Sequence, residues 1–138
     1  MGDLPSRSSR QPATHLKADH VLPGRMWFKA EFLQRCGVFK TRGAFNRQLA
    51  AAKRGELDPR AGIVAASGGN AGLANAYAAS ALGVPATVFV PETAPQVKVD
   101  RLRAYGAAVR QTGAEYADAF DAAEKYVASN GRAVLPRV

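Results

Sequence analysis

The feature of this sequence that most constrains its fold is a regular alternation of apolar runs and helix-type segments from residue 61 onward. Short apolar runs bounded by glycine and proline are typical of buried strands. The segments between them are rich in alanine and stop at glycine or asparagine, which favours helices. The predicted strands cover 62–67, 86–90 and 107–112, with a fourth starting at "RAVLP", and the predicted helices cover 70–82, 95–105 and 115–129. Strands and helices in this order predict an α/β fold with three layers, a parallel sheet with helices on both faces.

The first 60 residues are less regular. Residues 1–24 contain three prolines among serine, arginine and glutamine, and we expect them to be poorly ordered. "RMWFKAEF" (25–32) predicts a strand, and 41–54 predicts a helix. The apolar stripe predicted for that helix holds Ala44, Phe45, Leu49 and Ala52. The stripe predicted for the helix at 115–129 holds Tyr116, Ala119, Phe120, Ala123 and Val127.

Charge and cysteine content argue against several classes of protein. The net charge is +8, and residues 1–60 hold 12 Lys and Arg against 5 Asp and Glu, whereas residues 61–138 hold 7 against 6. A basic segment can attract anions, but no zinc spacing or aromatic-basic motif accompanies it, so no nucleic-acid partner is expected. Cys36 is the single cysteine, which excludes an internal disulfide and favours a reducing compartment. No apolar leader and no long apolar run is present, so we expect a cytoplasmic protein without a membrane partner.

The turn "ASGGNAG" lies between a predicted strand and a predicted helix. In parallel sheets ligands bind beyond the carboxyl ends of strands, where helix N-termini favour anions. The turn therefore predicts either an anion site or a tight connection capped by Ser67 or Asn70. A dinucleotide site is disfavoured, because Ser67 stands where the G-x-G-x-x-G pattern needs its first glycine.

Two motifs together are specific to a known family. "VFKTRGA" (38–44) follows Lys29-Ala30-Glu31, and "SGGNAG" (67–72) follows a predicted strand. In this order and spacing they resemble the amino-terminal part of the pyridoxal-phosphate enzymes of the threonine/serine dehydratase and serine racemase family, which have the tryptophan-synthase-β-like fold. The segment 84–107 resembles the family's next strand and helix.

The resemblance implies a role for each matched residue. Lys40 would bind pyridoxal 5'-phosphate as a Schiff base and then remove the substrate's α-proton. Phe39 would pack against the cofactor ring, and Asn70 would hydrogen-bond its phenolic oxygen. The substrate carboxylate would be bound by the loop of Ser67, Gly68, Gly69, Asn70 and Ala71. No metal ligand is implied, and Arg42 is expected to be structural or to form a surface ion pair.

The activity implied is ammonia release from L-threonine or L-serine to give a 2-oxo acid. The sequence Thr41-Arg42-Gly43-Ala44 favours the dehydratase branch, while a serine racemase and a non-catalytic α/β remnant remain alternatives. By resemblance, 25–60 would begin the large cofactor domain and 61–138 would form the smaller α/β domain. A homodimer is expected only of a longer form.

The phosphate-binding glycine loop and the partner of the pyridine nitrogen come later in the family's sequences. Neither is expected in these 138 residues. Because a phosphate anchor supplies charge-assisted hydrogen bonds, we expect this chain alone to bind the cofactor poorly and to be nearly inactive.

Overall fold

The structure, a computed structural model, describes residues 15–17, 27–130, 133 and 134. Two short antiparallel strands come first, and α/β units come after them. The strands are β1 (His15–Lys17), β2 (Trp27–Lys29), β3 (Ile63–Ala66), β4 (Ala86–Val90) and β5 (Ala108–Gln111). The helices are α1 (Thr41–Lys53), α2 (Asn70–Leu82), α3 (Gln96–Ala104) and α4 (Tyr116–Asn130), and 3₁₀ turns cover Glu31–Leu33 and Arg35–Gly37.

The main sheet is parallel, with the strand order β3–β4–β5. Val134 adds a parallel bridge to Ile63, where the sequence predicted the start of a fourth strand. Alternate strand residues point to opposite faces, since Ile63 packs in one apolar cluster and Val64 in another. Helices α2 and α3 cover the first face with α1 outside α2, and α4 covers the second. The predicted three-layer α/β architecture is therefore confirmed.

Most element boundaries match the sequence prediction within two residues. Helix α2 and strand β4 cover the predicted 70–82 and 86–90 without change. Gly83 ends α2 in the left-handed conformation with φ 70°, which glycine adopts without steric cost. The strand predicted at 25–32 is shorter, because the chain leaves β2 and enters the 3₁₀ turns.

The buried face of α1 agrees with the prediction only in part, since Ala44 is buried as expected. Leu49 and Ala52 are exposed, and Phe45 is half-buried. The residues facing α2 and the core are Thr41, Ala44, Gln48 and Ala51. The prediction favoured the larger apolar side chains and missed a face made of small and polar ones. On α4 the predicted stripe is partly correct, because Ala119 and Ala123 are buried while Tyr116 is exposed.

The remaining expectations concern the N-terminal segment and absences. Strand β1 lies within the segment 1–24, and the other residues of that segment lie outside the described part of the chain. Within the described part, no helix is long and apolar enough to cross a membrane. The same residues contain no cluster of three His, Cys, Asp or Glu side chains suited to a metal ion.

Candidate active site

The turn before Lys40 is fixed by buried residues on either side. Val38 is in the core, and Thr41 is only 4% exposed. The Thr41 hydroxyl lies 2.8 Å from the Val38 carbonyl oxygen and 2.9 Å from that of Arg35. Cys36, a non-glycine residue with φ 57°, brings its sulfur to 3.2 Å from the same hydroxyl. With the backbone anchored in this way, Phe39 and Lys40 project from a fixed frame.

Phe39 and Lys40 are adjacent, and Phe39 is open to solvent whereas Lys40 is half-buried. Phe39 is 56% exposed, so it is not a core residue. The Lys40 Nζ lies 5.4 Å from the centre of the Phe39 ring, within the range of a cation–π contact. Among the described residues the Lys40 ammonium has no hydrogen-bond or ion-pair partner. It is therefore available to a ligand beside an exposed aromatic face.

An ion-pair network holds the start of α1 against the preceding turn. The Glu31 carboxylate lies 2.7 Å from Lys29 Nζ and 3.3 Å from Arg42 Nη2. When the amide oxygen of Gln34 faces Arg42, it accepts from the guanidinium at 2.6 and 3.1 Å. Arg42 thus has the ion-pairing position expected of it. The hydrogen bond from Lys29, with Arg42 nearby, holds the pKa of Glu31 below its ordinary value of 4.5.

We predict that this network loses its effect in acid. Because the pKa of Glu31 is lower in the folded chain than in the unfolded one, the network stabilises the fold above the ordinary value of 4.5. Its contribution disappears as the pH falls through the lower folded pKa. Glu31→Gln should slightly lower the thermal midpoint at neutral pH, since exposed ion pairs contribute little. The difference from the wild type should shrink below pH 4.5 and vanish once the pH lies below the lowered pKa of Glu31 in the folded chain.

The matched control for this prediction is Glu56→Gln. Glu56 pairs with Arg54 at 2.6 Å, and its pKa is also lowered. This pair lies beyond α1, so its loss should not speed amide exchange in 34–40, whereas Glu31→Gln should. Equal exchange in the two variants would contradict the role given to Glu31.

The second group of candidate residues forms the turn from β3 into α2. The Ser67 hydroxyl accepts a hydrogen bond from the Gly69 amide at 3.2 Å. Gly69 is the N-cap residue of α2 and no side chain caps the helix, so the predicted capping role of Ser67 or Asn70 is wrong. The amides of Asn70, Ala71 and Gly72 have no protein acceptor among the described residues. Such amides at a helix start are able to bind an anion.

Gly72 explains why this turn is tight. A Cβ atom at Gly72 would lie 1.8 Å from the Ser67 carbonyl oxygen. A Cβ at Gly69 would instead meet nothing closer than the Ser67 hydroxyl oxygen at 3.8 Å. Gly72 thus lets the start of α2 approach the end of β3, and the space beside Gly69 is open.

The two groups of residues belong to neighbouring elements. Helix α1 packs on α2 through Phe45 and Tyr77, whose ring centres are 5.9 Å apart, and the turn Arg35–Gly37 also contacts α2. Arg101 of α3 reaches the Cys36 carbonyl oxygen at 3.5 Å. No hydrogen bond or ion pair joins Lys40 directly to the turn 67–71 in the described part of the chain. The elements that present the two groups are therefore packed together, while the groups themselves remain separate.

Sequence reasoning missed one buried polar pair between these elements. Gln48 is fully buried, and its Nε2 lies 3.1 Å from both the backbone oxygen and Oδ1 of Asn75. The signal that could have revealed it was the spacing of Thr41, Ala44, Gln48 and Ala51 along α1, which is a helical face in its own right.

The fold and these two turns define a three-layer α/β protein of the tryptophan-synthase-β-like class, with a half-buried lysine and a helix start whose amides are free among the described residues. A family model described as "Pyridoxal-phosphate dependent enzyme" matches residues 8–138. The chain belongs to this family. Pyridoxal phosphate is the cofactor named by that description, in agreement with the sequence prediction.

Relatives with named activities support the same placement. An L-threonine ammonia-lyase of Geobacter sulfurreducens is 43% identical over 98 residues, which are 71% of this chain and 24% of that protein. Bovine serine racemase is 49% identical over 86 residues, covering 61% of this chain and 25% of the racemase. The processed form of threonine deaminase isoform 2 from Solanum lycopersicum superposes with a TM-score of 0.71 at 34% identity, over 80% of this chain and 30% of that one. This chain therefore spans about a quarter to a third of the length of these relatives.

The described residues fit part of a pyridoxal phosphate site. The unpaired Lys40 amine matches the cofactor's carbonyl group, and the exposed Phe39 ring offers an apolar face. The free amides at the start of α2 match a carboxylate. These features are suited to the reactive end of the cofactor and to an amino-acid substrate.

Proposed function

We propose that this chain is the amino-terminal portion of a pyridoxal-phosphate-dependent ammonia-lyase that acts on L-threonine or L-serine. The observation that supports this most strongly is the position of Lys40, which has no hydrogen-bond or ion-pair partner among the described residues, immediately before α1, a helix that packs against α2. Helix α2 begins with amides that are also free. The names of relatives, among them an L-threonine ammonia-lyase, supply the substrate class.

In this proposal each residue of the chain has a distinct task. Lys40 Nζ holds the cofactor and afterwards takes the α-proton of the substrate. Phe39 covers one side of the cofactor ring and excludes water from it. The amides of the loop Ser67–Ala71 bind the substrate carboxylate and orient the Cα–H bond toward Lys40, and the Asn70 side chain hydrogen-bonds the cofactor's phenolic oxygen. The bound cofactor supplies an electron sink that stabilises negative charge at Cα.

A racemase is the second candidate function, because bovine serine racemase is among the relatives at 49% identity. Both activities require removal of the α-proton, which is the task assigned to Lys40. They differ in the next step, since the lyase loses the β-hydroxyl and the racemase returns a proton to the other face. The residues of 1–138 relevant to the first step are common to both. Cytoplasmic location and a homodimer in a longer form stay predictions.

A chimaera tests the proposed function in a protein of full length. Residues 25–138 would replace the corresponding segment of the Geobacter L-threonine ammonia-lyase, which is 43% identical to this chain over 98 residues. We expect oxo acid and ammonia from L-threonine, with no more D-serine than the parent lyase forms from L-serine. Conversion of L-serine mainly to D-serine would favour the racemase instead.

The control chimaera has Lys40→Ala and should fold but form neither product. Folding is checked by circular dichroism. A folded chimaera that is inactive on both amino acids, while the parent lyase is active, would contradict the proposed function.

A further inference from the structure

Gln48 and Asn75 form a buried pair between α1 and α2, and their hydrogen bonds determine how each side-chain amide is oriented. The backbone oxygen of Asn75 can only accept, so it requires the NH₂ end of the Gln48 amide, which lies at 3.1 Å. That same NH₂ group faces Asn75 Oδ1 at 3.1 Å, so the Asn75 side chain must present its oxygen to Gln48. The Asn75 NH₂ group is then directed to the Ala71 carbonyl oxygen, at 3.0 Å.

This sequence of contacts ends in the carboxylate-binding turn. Ala71 belongs to the loop Ser67–Ala71, and its amide is one of those free at the start of α2. Turning the Asn75 amide over would bring two donors together at Gln48 and two acceptors together at Ala71. Gln48, in the helix that begins after Lys40, therefore fixes a hydrogen bond at the opposite turn.

The Gln48 carbonyl oxygen indicates that this pair does more than stabilise the fold. Gln48 is fully buried, and its Oε1 has no hydrogen-bond partner among the described residues. Leaving a buried acceptor unsatisfied is unfavourable, and two apolar side chains would fill the same space without that penalty. The pair is better explained by the relative orientation that its hydrogen bonds impose on α1 and α2.

The Gln48–Asn75 pair lies where it can fix the orientation of α1 relative to α2. Gln48 lies eight residues beyond Lys40 and Asn75 six beyond Gly69, which correspond to about 12 Å and about 9 Å along the helix axes. A rotation of α1 by roughly 5° about this point would move Lys40 by about 1 Å. A shift of this size can lower a reaction rate by about 100-fold. The edge-to-face contact of Phe45 with Tyr77 restrains such rotation less, because it lacks the angular limits of a hydrogen bond.

We propose that Gln48 and Asn75 are positioning residues that fix the helix after Lys40 relative to the turn Ser67–Ala71, with Gln48 acting through the orientation of the Asn75 amide. The inference rests on the proposed function for its catalytic meaning. The coupling of Gln48 in α1 to the turn Ser67–Ala71 concerns this chain alone and is tested without cofactor.

The test is amide hydrogen exchange in the peptide 67–75 of the 138-residue chain. Gln48→Met keeps the length of the side chain and removes its donor. We expect it to speed exchange in this peptide about three- to tenfold, although the substitution lies in α1. Asn75→Leu should have at least as large an effect. The double variant should exchange no faster than Asn75→Leu, because Gln48 acts only through Asn75.

One further variant separates positioning from a general loosening of the α1–α2 packing. Phe45→Leu weakens the same α1–α2 packing without touching the pair, and it should leave exchange in 67–75 near the wild-type rate. The double variant, Gln48→Met with Asn75→Leu, removes both buried partners together and should therefore unfold at a higher temperature than Gln48→Met. Its amide exchange can still be measured if Gln48→Met alone is too unstable. Unchanged exchange in Gln48→Met, or equal acceleration in Phe45→Leu, would overturn the inference.

A final measurement distinguishes failure of this inference from failure of the proposed function. The amount of pyridoxal phosphate that borohydride reduction fixes to Lys40 should be lower in the double variant than in the wild type. If the full-length chimaera does not bind the cofactor at Lys40, the proposed function fails while the exchange result stands. If the wild-type chain does bind it there and the double variant binds equally well, the positioning role is contradicted.

Discussion

Replacing Gly72 with alanine is expected to destabilise the fold by about 3 kcal/mol, toward the upper end for an overpacked interior. Gly72 is the third residue of α2, and an added Cβ would lie 1.8 Å from the Ser67 carbonyl oxygen. The obstacle is backbone, so no side-chain rotation relieves it. Either α2 or the turn after β3 must shift, and the free amides at the helix start shift with it. Urea unfolding measures the loss, and amide exchange in 67–75 locates it.

The chain offers a matched control at the same position of another helix. Gly43 is the third residue of α1, is exposed, and has nothing within 4 Å of its added Cβ. Gly43→Ala should stabilise the chain by roughly 0.5–1 kcal/mol, the ordinary preference of a helix for alanine over glycine. The two variants thus have opposite expected signs for the same chemical change. A Gly72→Ala chain as stable as Gly43→Ala would disprove the close approach of α2 to Ser67.

The sequence predicted most accurately those elements whose ends depend on local chemistry. Helix α2 ends where predicted because Gly83 adopts a positive φ and Pro85 comes two residues later. Strand β4 ends where predicted because Pro91 lacks the amide that a central strand requires. These limits are present in the residues themselves and need no knowledge of the neighbouring elements.

Features that depend on a distant partner could not be predicted in the same way. Gln48 is buried because Asn75, 27 residues away, supplies two acceptors for it. Periodicity alone favoured Leu49, which is larger and apolar but is 42% exposed. Strand β2 is shorter than its apolar run because a 3₁₀ turn begins at Glu31, whose carboxylate lies 3.3 Å from Arg42. Each departure results from a contact that only the folded chain contains.

The candidate site shows the same division. The order and spacing of "VFKTRGA" and "SGGNAG" were enough to select Lys40 and the turn 67–71 from the sequence. The free amides of α2 follow from any helix start, but the exposure of Phe39 was not predictable, because it depends on how Val38 packs. The roles of these residues therefore stay predictions, and Lys40 is the one whose test is most direct.

Lys40→Ala is expected to remove most of the covalent attachment of pyridoxal phosphate to this chain. Purified protein would be mixed with excess cofactor and reduced with borohydride, which fixes the cofactor to the lysine that holds it. Lys40 should be labelled preferentially over the five other lysines, because its amine lies beside the exposed Phe39 ring and has no ion-pair partner among the described residues. Lys29, by contrast, is occupied by Glu31 at 2.7 Å. Intact mass gives the total label, and peptide mass spectrometry gives its position.

Lys53→Ala is the matched control, since Lys53 is an exposed residue in the last turn of α1 and its replacement removes the same charge. It should leave the label unchanged, whereas Lys40→Ala should reduce it at least about tenfold, equivalent to about 1.4 kcal/mol or more of binding free energy. Because the assay traps bound cofactor and does not require turnover, it works even if the chain binds weakly and is inactive alone. Label distributed evenly over the lysines of the wild type would mean that Lys40 reacts only as a surface amine. Selective label lost with Lys40 would instead assign the cofactor's attachment point to the turn that Val38 and Thr41 hold in place.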